Sequence, residues 1–235
     1  PVYKAREDWL AQCLASIKAQ TYPVELICVD EVKGAAQARN IGLKQATGDL
    51  IAFCDADDYM EPDAIEKMVQ AMDGVEMVCG SFSKFGDFIM TVSHPRGKLT
   101  MQEVADYALG NFMRPRWNQM LSGCWAKLYR RSIVGKFPEY TTAEDMALNF
   151  DCLARCDSVQ FISDIVYHNR RHADSLSAQF DGEFGFLKGM KHARRFLEQF
   201  HAYDVVEDAL DNAKVYHSML YAQRIGPDAL KKAFP

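Results

Sequence analysis

No apolar run in this 235-residue chain approaches the roughly 18 residues that a helix needs to cross a bilayer, the longest being short segments such as Leu50–Cys54. The body of the chain is therefore expected to be soluble. Positive charge is not in excess either. The 27 Lys and Arg stand against 32 Asp and Glu, for a net charge of -5 and a pI near 5.7, which argues against a general phosphate-backbone binder. Nucleic acid is not an expected partner. No CxxC pair occurs among the seven cysteines, and Cys28, Cys54 and Cys79 sit inside apolar runs, the pattern of free buried thiols in a reducing compartment. Cys152 and Cys156 lack further partners at zinc-finger spacing and read as packing residues. Internal repeats, low-complexity tracts and a signal peptide are missing too. No initiator methionine precedes Pro1-Val2-Tyr3, so an upstream segment is expected to have been removed or left out. What remains is an ordinary globular composition, 49% hydrophobic and 25% charged, sufficient for one large domain or one domain with an appendage.

The periodicity of the first hundred residues alternates. Trp9, Leu10, Cys13, Leu14 and Ile17 share one face of a helix over 7–20, with acids at its start where the helix dipole favours them. Val24–Val29 is a short apolar run ending at Asp30, as a buried parallel strand would. A helix over 35–46 closes at Thr47-Gly48. A second apolar strand, Leu50–Cys54, runs into Asp55-Ala56-Asp57-Asp58, and a third helix opens at Glu61-Pro62-Asp63. Strands follow at 75–82 and 87–92. This alternation predicts an α/β fold with a mostly parallel sheet. Further on, helices are expected over 100–111 and 143–155, a short segment around Trp125–Tyr129, and two strands over 159–162 and 165–167. From about Gly182 the chain reads as helical, with a break at Gly226-Pro227 and a weak seam near 180.

In an open parallel sheet, ligands bind beyond the carboxyl ends of the strands. Both of the clearest strands end there in carboxylates, Asp30 after one and Asp55, Asp57 and Asp58 after the other. Converging negative charge calls for a cation or hydrogen-bond donors. Side chains at i and i+2 of an extended segment point the same way, so Asp55 and Asp57 suit a hard divalent cation such as Mg²⁺ or Mn²⁺. A solvated acidic turn capping the next helix has the same sequence.

The ordered set Pro1-Val2-Tyr3; Cys13–Ile17 with Gln20–Pro23; Val24–Asp30; Ala38-Arg39-Asn40-Ile41-Gly42; Gly48–Asp58; Trp125–Arg130; Glu144-Asp145; and Tyr167–Ser177 resembles the bacterial family-two glycosyltransferases of GT-A fold. It covers about residues 1–180. The resemblance implies a GT-A (Rossmann-like) mixed, mostly parallel sheet flanked by helices, with a C-terminal helical extension. Residues 1–99 would form the nucleotide-sugar half, 100–180 the acceptor half and 181–235 the extension.

The resemblance also implies a UDP-sugar donor with Pro1, Val2, Tyr3 and Asp30 around the base, Arg39 near the nucleotide, and Asp55 against ribose and donor sugar. Asp57 would bind Mn²⁺ or Mg²⁺ bridging the diphosphate. Glu144-Asp145 matches the family's acidic pair, whose second member removes the acceptor hydroxyl proton, which makes Asp145 the catalytic base of an inverting transfer with an oxocarbenium-like transition state. Glu144 would lie on the acceptor side. Without the surrounding motifs, the same pair reads as the acidic start of a helix. Arg170 and His172 are positioned for diphosphate oxygens or the metal, or else belong to a surface loop. Trp125 is read either as a platform for an acceptor sugar or as a core aromatic, and Lys127 as an ion-pair partner of the acidic rim.

Two departures from the family pattern stand out. The full apolar strand usual before Pro1-Val2-Tyr3 is not in the sequence, and only Glu31-Val32-Lys33 separates Asp30 from the glycine before Ala38-Arg39-Asn40, where a helix and a strand usually intervene. Three residues hold neither. Beyond the resemblance, Phe184, Phe186, Leu187, Met190, Phe196, Leu197 and Phe200 lie beside Lys188, Lys191, His192, Arg194 and Arg195, a pattern that fits either peripheral contact with an anionic membrane or a docking helix with a solvated basic face. The implied enzyme is cytoplasmic, at the inner face of the membrane where lipid-linked saccharide acceptors lie, and works in surface-polysaccharide or glycan assembly. The rival functions are a catalytically silent sugar-nucleotide or glycan-binding domain, and a sugar-1-phosphate nucleotidyltransferase, whose usual glycine-rich phosphate loop is not seen.

Overall fold

The computed structural model describes residues 6–30, 32, 34–86, 89–92, 96–113, 121, 123–140, 142–172 and 185–225. In chain order the elements are α1 (Glu7–Lys18), α2 (Ala35–Gln45), β1 (Leu50–Ile51), β2 (Tyr59–Met60), α3 (Ala64–Gln70), β3 (Met77–Phe85), β4 (Met90–Val92) and β5 (Gly97–Thr100). There follow α4 (Met101–Met113), β6 (Lys127–Arg130), α5 (Glu144–Leu153), β7 (Ser158–Arg170), α6 (Gly185–Leu197) and α7 (Tyr203–Ile225).

Strand β3 organises the sheet because both of its faces are covered. Successive side chains of a strand point to opposite faces. Met77 and Cys79 accordingly join a core cluster with Val104, Ala105 and Ala108 of α4 and Leu148 of α5, while Val78 and Phe82 join a second cluster with Ala64, Ile65 and Met68 of α3. Each Val, Leu, Ile, Phe or Met side chain among them, fully buried, contributes about 1.5–3 kcal/mol. Gly80 interrupts the alternation for a steric reason: a Cβ there would sit 2.4 Å from a methyl of Val166. The pairing of β3 with β7 shifts register on either side of Ser81, so the two strands are bulged at this close approach.

The strand order is β1-β6-β3-β7-β2, with β4 on β3 and β5 on β7. Here the structure corrects the expectation of a mostly parallel sheet. Among the described strands only β3 and β7 pair in parallel; β1 with β6, β2 with β7, β3 with β4, β3 with β6 and β5 with β7 are antiparallel. Val24–Val29, expected as a buried parallel strand, is extended but belongs to no ladder. Its inner side lies on α2, where Ile27 and Val29 flank Gly42, and its outer side leaves Val24 40% and Leu26 39% exposed. An apolar run becomes a strand only where a neighbouring backbone takes its hydrogen bonds, and no described strand pairs with this one. For the same reason the apolar face of α1 is only partly covered, Cys13 being its one buried residue.

The C-terminal helices share the larger core. Met190, Ala193, Phe196 and Leu197 of α6 and Val206, Ala209, Leu210 and Ala213 of α7 pack into the cluster that α4 and α5 build. On the basic side, Arg194 pairs with Glu198 at 3.5 Å and with Glu207, and His192 Nδ1 lies 2.8 Å from Asp151. The apolar face of α6 is thus occupied by protein, the docking arrangement of the two that its sequence allowed. No described helix is long and apolar enough to cross a membrane. Pro1, Val2, Tyr3, Glu31, the seam near 180, Phe184 and the Gly226-Pro227 break lie outside the described residues.

Candidate active site

Helix α2 packs through Ala36 and Ala38 and thereby carries Arg39 into the interior, with 4% of its side chain exposed. A buried guanidinium must be paired, and this one is paired three times. Nη2 donates to Asp55 at 2.8 Å, and Nη1 donates to Glu144 at 2.8 Å and to Asp145 at 2.5 Å. Arg39 Nε is buried without a partner among the described residues. Three carboxylates on one cation leave an excess of negative charge. Burial and the neighbouring Asp145 push Glu144 up to about 7, despite the opposing pull of Arg39. Burial likewise raises Asp145, with Asp55 adding to the effect against Arg39. Asp55 moves the other way: burial would raise it, but Arg39 holds it below the usual carboxylate range. Arg39 itself keeps its proton firmly, because these carboxylates outweigh its own burial.

Glu144 and Asp145 are presented by the first turn of α5, where acids are favoured by the helix dipole. The residue before them, Ala143, has φ 62, a left-handed conformation unusual for alanine. Gly189 of α6 makes room for it: a Cβ there would lie 2.3 Å from Met146 and 3.2 Å from the Ala143 carbonyl. The helical extension therefore braces the turn that carries Asp145.

The acidic loop after β1 is held from below. Asp58, 1% exposed, accepts from the Tyr167 hydroxyl at 2.8 Å, from Asn169 at 3.0 Å and from the Arg170 backbone amide at 2.6 Å. Burial raises its pKa well above the usual range, with Asp57 and Asp55 adding to the shift. The same Tyr167 oxygen accepts the Asp55 amide at 3.1 Å. With Asp58 turned inward, Asp57 faces β7's end, where His172 Nε2 lies 2.9 Å from its Oδ2. His172 leans on Trp9 at 4.7 Å between centroids, and its Nδ1 is buried without a described partner. Arg170 lies between Trp9 and Phe85, 4.9 and 4.6 Å from the ring centroids, and donates to the Asp57 carbonyl at 2.9 Å and to Gln12 at 2.5 Å.

On the other side of Arg39, Asn40 clasps Phe137 through both backbone groups, at 2.9 and 2.8 Å. The buried amide of Asn149 donates to the carbonyls of Leu121 and Gly123 and accepts from the Tyr129 hydroxyl. Lys127, expected to pair with the acidic rim, instead donates to the carbonyls of Gly123 at 2.5 Å and Trp125 at 3.2 Å. Burial is the reason: a hidden ammonium takes the nearest carbonyls, which the chain supplies within four residues. Trp125 is 8% exposed and stacks on Tyr167 at 5.1 Å and 8°, the core position of the two that its sequence allowed.

The structure thus gathers Arg39, Asp55, Glu144 and Asp145 into one cluster and Asp57, Arg170 and His172 into another, joined by the loop 55–58. Asp30 is exposed, and no contact among the described residues joins it to either. Asp58 counts among the converging carboxylates of the sequence, but its inward turn and the parts played by Tyr167 and Trp9 do not follow from it. The Asp57-Asp58 doublet was a signal, since two adjacent carboxylates cannot both face the same side.

Residues 30–137 match the model of Glycosyl transferase family 2. Over that segment the chain is similar to the family 2 glycosyltransferases. It is 26% identical over 254 residues to "Putative glycosyltransferase EpsH" of Bacillus subtilis (strain 168), covering 91% of this chain and 72% of that protein. "Glycosyltransferase GlyA" of Streptococcus pneumoniae serotype 4 is 26% identical over 215 residues, covering 75% of this chain and 30% of that protein. Among solved structures, S. aureus TarS in complex with UDP-GlcNAc superposes with a TM-score of 0.67 at 16% identity, covering 97% of this chain and 78% of that one. The GT-A-like fold of this chain is the one its motifs implied, with the sheet's mostly antiparallel pairing as the difference.

Proposed function

We propose that this protein is a glycosyltransferase that moves one sugar from a UDP-sugar to an acceptor hydroxyl with inversion, using Asp145 as base. The observation that carries the reading is the bridge from Asp55 through Arg39 to Asp145, which joins the expected donor carboxylate to the expected base. The structural likeness to TarS in complex with UDP-GlcNAc supports a UDP-linked donor.

Burial raises the affinity of Asp145 for a proton, as a base requires, while Arg39 fixes its orientation. In the transfer, Asp145 takes the acceptor O–H proton, the acceptor oxygen bonds to the anomeric carbon, and the bond to the diphosphate oxygen breaks with its electron pair leaving on the diphosphate. Glu144 and the wall held by Asn149 and Asn40 border the acceptor side. Pro1, Val2, Tyr3 and Asp30 complete the base pocket in this proposal.

Asp57 and His172 fit a hard divalent cation. They offer one oxygen and one nitrogen within 2.9 Å of each other, and a cation of this kind commonly takes only one or two protein ligands alongside phosphate oxygens. When bound, Mn²⁺ or Mg²⁺ supplies positive charge that stabilises the departing diphosphate. Arg170, tied to the Asp57 carbonyl, holds the loop against α1 and is placed near the diphosphate. The family resemblance further supports a glycan or lipid-linked saccharide acceptor in surface-polysaccharide assembly at the cytoplasmic face of the membrane.

Calorimetric titration of UDP with Mn²⁺, with EDTA and on Asp57→Ala tests the donor site. Binding that needs Mn²⁺ and disappears in the variant is expected; equal binding with and without metal would overturn the Asp57 assignment.

A further inference from the structure

Cys13 and Cys54 come from segments 41 residues apart, yet their Sγ atoms lie 3.6 Å from each other. Cys13 is the buried residue of α1, and Cys54 is half-buried immediately before Asp55. Both thiols also point at one acceptor, the Asp55 carbonyl, at 3.4 and 3.7 Å. The other described cysteines are arranged differently. Cys156, for example, lies just beyond α5 and donates back to the Cys152 carbonyl at 3.3 Å.

We propose that Cys13 and Cys54 form a vicinal dithiol that a peroxide oxidises to a disulfide, a modification site at the root of the loop carrying Asp55 and Asp57. A disulfide needs the two sulfurs at about 2.05 Å, so closure asks for a small approach of α1 to the end of β1 rather than any refolding. The half-buried Cys54 gives a peroxide access to the pair. The thiolate of one cysteine attacks a peroxide oxygen, the S–O bond forms, the O–O bond breaks, and the departing hydroxide takes a proton to become water. The second thiolate then attacks that sulfur, the S–S bond forms, the S–O bond breaks, and a second water leaves. Two thiols lose two electrons and hydrogen peroxide gains them. Closure removes both S–H donors from the Asp55 carbonyl, leaving it the Asp58 amide at 3.1 Å. The loop holding the donor carboxylates is thereby altered without any change at the carboxylates themselves.

The test is made on the full chain without nucleotide, so its result does not depend on the donor assignment. Folded protein is treated with hydrogen peroxide, its free thiols are counted, and it is digested without reductant for mass mapping. The expected result is loss of two of the seven thiols, a crosslink joining the peptides of Cys13 and Cys54, and full recovery on adding dithiothreitol. Cys13→Ser and Cys54→Ser are expected to lose the crosslink while their remaining cysteine takes up oxygen. Retention of all seven thiols, or a crosslink between any other pair in the unmutated protein, would overturn the proposal. The unmutated map decides the matter even if a variant fails to fold.

Discussion

Arg39 donates to Asp145 at 2.5 Å across 106 positions of the chain, and its second nitrogen holds Asp55 on the opposite side. Removing that cation strands three carboxylates in a buried setting. Arg39→Ala is expected to cost about 3–5 kcal/mol in urea unfolding and to abolish transfer. Arg39→Lys keeps the charge but lacks the planar fork that reaches two carboxylates at once, so it should retain more stability than Arg39→Ala and still lose most activity. Equal activity of the lysine variant would refute the bridging role.

Glu144 sets a pH dependence of stability. Its folded pKa of about 7 lies above the ordinary 4.5, so between those values the folded state holds more proton than the unfolded state. Stability from this group is present below about pH 4.5 and is lost as pH rises toward 7. Asp145, also raised, acts in the same direction, and Asp55, lowered, in the opposite one. Urea midpoints at pH 5, 6 and 7 should fall for the unmutated chain and fall less for Glu144→Gln. Parallel curves would remove Glu144 from the account.

Tyr167→Phe takes one hydroxyl from two partners, the Asp58 carboxylate and the Asp55 amide. A loss of about 1–3 kcal/mol is expected from the unsatisfied buried groups. Because the same hydroxyl shapes the 55–58 loop, Mn²⁺-dependent UDP binding should weaken as well. A variant destabilised but with unchanged UDP affinity would show Tyr167 to be structural only.

Gly189 and Ala143 make a pair of opposed predictions. Gly189→Val drives side-chain atoms into Met146 and the Ala143 carbonyl, and an overpacked site of this kind costs about 1–3 kcal/mol. Ala143→Gly relieves a left-handed alanine, worth about 1–2 kcal/mol, against the extra unfolded-chain freedom of glycine. Thermal melts should show the first variant clearly destabilised and the second unchanged or slightly stabilised. Destabilisation by Ala143→Gly comparable to that of Gly189→Val would contradict the strain at this turn.

The helices were legible because local signals determine them: α1 follows the apolar spacing of Trp9, Leu10, Cys13, Leu14 and Ile17, α2 ends just before Thr47-Gly48, and Glu144-Asp145 opens α5. What was not legible depended on neighbours. Val24–Val29 has the composition of a strand, but pairing is a property of two segments. Ser163-Asp164 read as a break between two strands, whereas β7 runs through them because the polar residues fall at its bulge opposite Gly80. Sequence could not say which of Asp57 and Asp58 turns inward, since the choice is made by Tyr167, Asn169 and Arg170. The basic amphipathic pattern of α6 is the same for a membrane and for a protein core, and α5 and α7 supply the core.

The partners that hold Asp58 lie 109 to 112 positions further along the chain. The first hundred residues therefore contain the acidic loop but not the means to shape it. Pairings so distant in sequence close late and slowly during folding. On the ribosome, the loop awaits the emergence of β7, so it takes its shape with that strand rather than as the N-terminal half is made.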